Sequence, residues 1–169
     1  STFKVVTAAA ALESGEFDMD EPTGAPETFK LPLSQDSIGN EVKGVCKDAT
    51  LRVALQWSCN SVYLMVSDKV GNEKMIEMSE KFGFNDDELD TPVRAAESVY
   101  PEMDRPQNAM GGIGQASNRA TPLQMAMVAA AVANDGKLQK PYMVDKLVAP
   151  NLNEIQVNQP ETLSEPLSG

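Results

Sequence analysis

One segment constrains this chain more than any other, because it is apolar on every side and full of helix formers. Residues 2–14 run Phe3-Lys4-Val5-Val6-Thr7-Ala8 through to Leu12 without a breaker, are rich in Ala, and stop at Gly15, a natural residue just past a helix end. A helix without a polar face belongs in the middle of a core and not on a surface. Residues 121–133 make a second, still clearer helix. Thr121 is a natural N-cap, Pro122 suits the first helical position, Gln124 is placed to complete a capping box, and Gly136 closes the segment. Residues 123–133 are apolar all round. Neither apolar run is more than roughly half of what a bilayer span needs, and 169 residues make one domain with room for a real core.

Three shorter helices are expected between these two. Residues 51–57 read as one, capped by Asp48 or Thr50, and residues 60–70 as another, ending at Gly71. A third begins at Asn72 as N-cap and carries the stripe Met75, Met78, Ser79 and Phe82 before Gly83 ends it. Residues 16–47 and 84–120 are punctuated by Pro and Gly and read as loop. Residues 142–148 and 154–157 read as short strands. After Pro150 the composition turns to Asn, Gln, Pro and Ser, a tail or linker over 149–169. The fold class expected is mainly α with few short strands.

The charge and the missing residue types exclude several chemistries. A net charge of −11 without a basic run argues against nucleic acid and against an anionic membrane surface as partners. The chain has no histidine, which removes Ser-His-Asp and Cys-His catalysis and every His-ligated zinc site. Cys46 and Cys59 form no C-x-x-C pair and make no metal site alone, so neither a metal nor a cofactor is expected. Whether the two cysteines bond to each other depends on their Cα separation, which spacing does not give. Asp86-Asp87-Glu88 lacks EF-hand spacing and reads as a solvated loop.

Without histidine, a nucleophile needs Lys or a carboxylate as base. Ser1 and Lys4 stand three apart on one helix face, among Phe3, Val6, Ala8 and Leu12. A lysine buried there can fall to a pKa of roughly 7–8, where its neutral amine accepts a proton. Taken alone, Ser-x-x-Lys arises by chance about once in a chain of this composition. Ser58-Cys59-Asn60 lies between two short helices, where Ser58 and Asn60 can face a cleft, although Asn60 also reads simply as a cap. Trp57, just before this triplet, either walls a site or packs in the core. Gly114-Gln115 leads through a Gly-rich loop toward the capped helix at Thr121.

Together and in this order, these motifs resemble the transpeptidase domain of penicillin-binding proteins, and within it the monofunctional class B, penicillin-binding protein A type. The features that select this branch are Gln56-Trp57-Ser58-Cys59-Asn60, Thr121-Pro122-Leu123-Gln124-Met125-Ala126, and Ala133-Asn134-Asp135-Gly136 followed by Pro141. The resemblance implies the helical part of an α/β fold over residues 1–148. It implies Ser1 as acylated nucleophile, Lys4 as general base, Ser58 as proton relay and Asn60 as a hydrogen-bonding partner of the substrate's acyl side chain. Trp57, Cys59, Gly114 and Gln115 are expected at the substrate. The reaction implied is acyl transfer from a D-Ala-D-Ala peptidoglycan stem peptide through a serine ester, with β-lactams as inhibitors.

Two departures from the family pattern stand out. No Lys-Thr-Gly or Lys-Ser-Gly occurs in the chain, and Ala116 stands where the family commonly has the second Gly of Gly-Gln-Gly. The opening on Ser-Thr-Phe-Lys, without Met and inside a helix, reads as a piece cut from a longer parent, which the resemblance implies is membrane-anchored and extracytoplasmic. That piece is expected to be inactive alone, with an exposed core that a dimer or partner chain would cover. The competing readings are a β-lactam sensor or β-lactamase of the same fold, and a non-catalytic helical interaction module.

Overall fold

A computed structural model describes residues 2–89 and 94–167. Six helices carry the structure: α1 (Lys4–Glu13), α2 (Leu51–Gln56), α3 (Asn60–Val70), α4 (Asn72–Lys81), α5 (Arg105–Gly111) and α6 (Pro122–Ala133). Six short strands pair as three antiparallel ladders: β1 (Phe29–Lys30) with β2 (Ser37–Ile38), β3 (Leu138–Gln139) with β6 (Thr162–Ser164), and β4 (Lys146–Val148) with β5 (Glu154–Val157). The expected mainly helical architecture is what the chain forms.

The Ala-rich α1 is a core helix. Lys4 and every residue from Val6 to Ala11 are buried, and the helix packs against α2, α3 and α4. Its one small polar residue, Thr7, is satisfied across the core by donating to the Gly112 carbonyl at 2.7 Å. Gly112 belongs there because of space: a Cβ on it would lie 2.4 Å from the Ser67 Cβ and 2.6 Å from the Tyr63 carbonyl. Glycine therefore lets α5 approach the backbone of α3. Beside it, the buried Asn108 donates to the Ser67 carbonyl at 2.7 Å and accepts from the Tyr100 hydroxyl at 2.8 Å. The Ser67 hydroxyl in turn donates to the Asn108 carbonyl. This network lets polar groups be buried without loss, because each finds a partner.

Local signals placed most helix ends. Thr50 and Thr121 cap α2 and α6 by accepting from the amides of Val53 and Gln124 at 3.2 and 3.0 Å. Two expectations fail for the same reason, a tertiary partner that outcompetes the local one. Gln124 makes no capping box: its side chain donates to the Phe82 carbonyl, and the Thr121 amide donates instead to the Ser98 hydroxyl at 3.0 Å. Asn72 is not the N-cap of α4 but its first residue, and its side chain accepts from the Met103 amide at 3.0 Å. The loop expected over 84–120 contains α5, capped by Asp104, which accepts from the Gln107 amide at 2.9 Å.

The apolar sequence of α6 buries only one face. Gln124, Met127, Val128 and Ala131 point inward, while Val132 is 51% exposed. Residues 149–167, expected as tail or linker, hold β5 and β6. The division at 148/149 falls inside the β4–β5 hairpin, and β6 returns to β3. The Ser164 hydroxyl reaches the Lys81 carbonyl, and Leu167 packs against the core.

Candidate active site

The site is built at the first turn of α1. Phe3, immediately before the helix, is buried with its ring stacked on Tyr100 at 5.3 Å between centroids and edge-on to Phe84 at 5.5 Å. This aromatic wedge fixes the backbone next to Lys4. Lys4 is only 2% exposed. Opposite it, the turn between α2 and α3 bends sharply: Ser58 adopts φ +54°, and Cys59, fully buried, is disulfide-bonded to Cys46 with a Cα separation of 5.5 Å. The pairing that spacing left open is thus made, and it ties this turn to the loop ahead of α2.

The Lys4 ammonium donates to three acceptors on that one turn: the Ser58 carbonyl at 2.6 Å, the Asn60 Oδ1 at 2.7 Å and the Ser58 Oγ at 2.9 Å. An ammonium has three N–H groups, so its hydrogen bonding is complete. Burial lowers its pKa from 10.5 to about 8, opposed by the carboxylate of Glu41, which favours the charged form. Nearby Tyr63, whose ring lies 5.9 Å from Lys4 Nζ, stays neutral because burial raises its phenol. When Lys4 is neutral, it keeps two N–H donors and gains a lone pair. Of its three partners only the Ser58 hydroxyl has a proton to give, so Lys4 and Ser58 form a pair across which a proton can pass either way.

Among the residues singled out from the sequence, the structure brings together Lys4, Ser58 and Asn60. Ser1 lies outside the described residues. Trp57 is 48% exposed beside Ser58. Cys59, expected at the substrate, is instead fully buried, with its side chain bonded to Cys46 inside the protein. Gly114 and Gln115 are exposed on the loop after α5, and this loop runs close to α1: a Cβ on Gly114 would lie 3.0 Å from the Phe3 Cβ. Ala116 keeps the left-handed conformation that glycine favours, with φ +64°. Sequence reading missed Asn40 and Glu41, which sit on a loop with no motif of its own.

The family model for the penicillin-binding protein transpeptidase domain matches residues 1–168. The chain belongs to this family. It is 37% identical over 165 residues to the peptidoglycan D,D-transpeptidase PbpA of Mycolicibacterium smegmatis, covering 95% of this chain and 33% of that protein. It is 37% identical over 159 residues to the PbpA of Mycobacterium tuberculosis, covering 92% of this chain and 32% of that one. The chain thus spans about a third of the length of these relatives. Among solved structures, the imipenem acyl-enzyme of penicillin-binding protein A from M. tuberculosis superposes with a TM-score of 0.89 at 34% identity, over 99% of this chain and 39% of that one. The penicillin G acyl-enzyme of the same protein gives 0.87 at 34%, with the same coverage.

Proposed function

We propose that this chain supplies the nucleophile, base and proton relay of a peptidoglycan D,D-transpeptidase. The observation that carries the reading is the buried Lys4, with its pKa lowered to about 8, hydrogen-bonded to both Ser58 and Asn60. The Ser1 hydroxyl attacks the carbonyl of the D-Ala–D-Ala peptide bond while neutral Lys4 takes its proton. The C–N bond then breaks. The leaving D-Ala amine receives a proton passed from Lys4 through Ser58, and an ester remains on Ser1. An acceptor amine reverses these steps, giving its proton to the same relay and forming the new amide. Asn60 hydrogen-bonds the acyl side chain of the stem peptide, and a β-lactam enters as a ring-closed mimic of the same acyl donor. Trp57, Gly114 and Gln115 are assigned to contact with the substrate.

The reading places the chain outside the cytoplasm, in a protein anchored to the membrane. The Cys46–Cys59 disulfide supports that compartment, because such bonds persist where conditions are oxidising. Labelling of the whole protein that carries this segment with a fluorescent penicillin tests the nucleophile: Ser1→Ala abolishes the label while the melting temperature holds. Label that survives the substitution removes Ser1 from the mechanism.

A further inference from the structure

The first amides of any helix need partners from outside it. At α3 the N-cap residue Cys59 offers none from its side chain. Asn40 supplies one from another part of the chain. Its Oδ1 accepts from the Ser61 amide at 2.9 Å, and its Nδ2 donates to the Ser61 hydroxyl at 2.9 Å and to the Glu27 carbonyl at 2.8 Å. Ser61 is fully buried, so water does not replace these bonds. The neighbouring residue completes the arrangement, because the Gly39 carbonyl accepts from Asn60 Nδ2 at 3.3 Å.

The Asn60 amide is therefore held at both ends, with Oδ1 toward the Lys4 ammonium and Nδ2 toward Gly39. A flipped amide would turn its two N–H groups on a cation. Residues 39 and 40 directly follow β2, whose partner β1 begins two residues after Glu27. The β1–β2 hairpin is thus latched to the start of α3 by the Asn40 carboxamide, with the Asn60–Gly39 bond beside it.

We infer that Asn40 is a positioning residue for the reaction: it holds the β1–β2 hairpin against α3, so that Gly39 orients the Asn60 amide toward Lys4 and substrate. Its link to catalysis rests on the transpeptidase reading; its geometry does not. Without the clamp, Gly39 is released, Asn60 rotates, and Lys4 loses one of its three acceptors. Misplacement of about an ångström in such a constellation costs about 10²-fold in rate.

The test, made in the whole protein that carries this segment, compares wild type with Asn40→Ala, Asn40→Asp and Asn72→Ala. Asp retains two acceptor oxygens for the Ser61 amide and hydroxyl, whereas Ala retains nothing. Asn72 holds Met103 far along the chain and serves as a destabilised control. The second-order rate of acylation by a fluorescent penicillin is measured at a temperature where all four proteins are folded. Expected is a loss of about 10–100-fold for Asn40→Ala, partial recovery in Asn40→Asp, and no change in Asn72→Ala. The side-chain amide protons of Asn60, followed by NMR hydrogen exchange, lose protection in Asn40→Ala alone. A rate within twofold of wild type in Asn40→Ala, or an equal loss in Asn72→Ala, overturns the positioning role. If wild type itself is not acylated, the transpeptidase reading fails, and the Asn60 exchange decides the positioning role by itself: unchanged protection overturns it.

Discussion

The state of Lys4 is readable by pH alone. With its pKa lowered to about 8 by burial, about a tenth of the molecules carry a neutral Lys4 at pH 7 and about a hundredth at pH 6. If the neutral amine takes the proton of Ser1, acylation of the whole protein by a fluorescent penicillin rises about tenfold from pH 6 to 7 and about fivefold more to pH 8, then levels. The same shift has a stability consequence. The folded chain holds fewer protons than the unfolded chain between pH 8 and 10.5, so folding stability rises with pH across that window. The lowering from 10.5 to about 8 corresponds to about 3 kcal/mol. Urea melts across pH 7–10.5 measure it, with Lys4→Met as the reference that lacks the titrating group: wild type gains on Lys4→Met as pH rises. Glu41→Gln removes the carboxylate that favours the charged form, so it moves the midpoint of the acylation profile to lower pH. An acylation rate flat from pH 6 to 9, together with equal pH slopes for wild type and Lys4→Met, would refute a buried, half-neutral base.

Three further outcomes follow from the same geometry. Lys4→Arg keeps the positive charge but yields no proton near neutrality, so acylation falls by about 10²–10⁴ while the fold survives at reduced stability; near-normal labelling would leave Lys4 as a fixed charge only. Replacing both Cys46 and Cys59 by Ser opens a loop closed over a separation of 13 residues, which costs about 3 kcal/mol by chain entropy and lowers the melting temperature by about 6–12 °C in calorimetry. Gly112→Ala drives a methyl into Ser67 and the Tyr63 carbonyl and destabilises by about 1–3 kcal/mol or more in denaturant titration; an unchanged midpoint would mean that α3 and α5 are not in close contact.

Much of this structure was legible because it is local. The Thr50 and Thr121 caps, the glycine ends of the helices and the Ala-rich α1 follow from residues within a few positions of one another. What local reading missed depends on distant partners. The spacing of Gln124 from Thr121 suits a capping box, yet its side chain serves Phe82, 42 residues away. Asn72 looked like a cap, yet it serves Met103. α5 was hidden because Pro106 and the glycines after it read as loop, although Asp104 and Pro106 are themselves a helix start. At the site, the spacing of Ser1 and Lys4 proposed a base, and only the pairing of motifs suggested Ser58 and Asn60. The contact between residue 4 and residues 58–60 is tertiary, so no periodicity reports it. Asn40 gave no signal at all, since a lone asparagine in a Pro- and Gly-rich loop is ordinary turn chemistry.

Lys4 is the opening residue of a deeply packed helix, and three of the other helices lean on that same element. Its amine is therefore not mounted on a mobile surface loop that can melt while the interior stays whole. To displace it, α1 must slide, and Thr7, Gly112 and the alanines between must slide with it. Loss of function on heating and loss of the native state then become one event: a thermogram and an inactivation curve for this chain share a midpoint. Partly damaged molecules that are folded yet catalytically dead do not accumulate along the way.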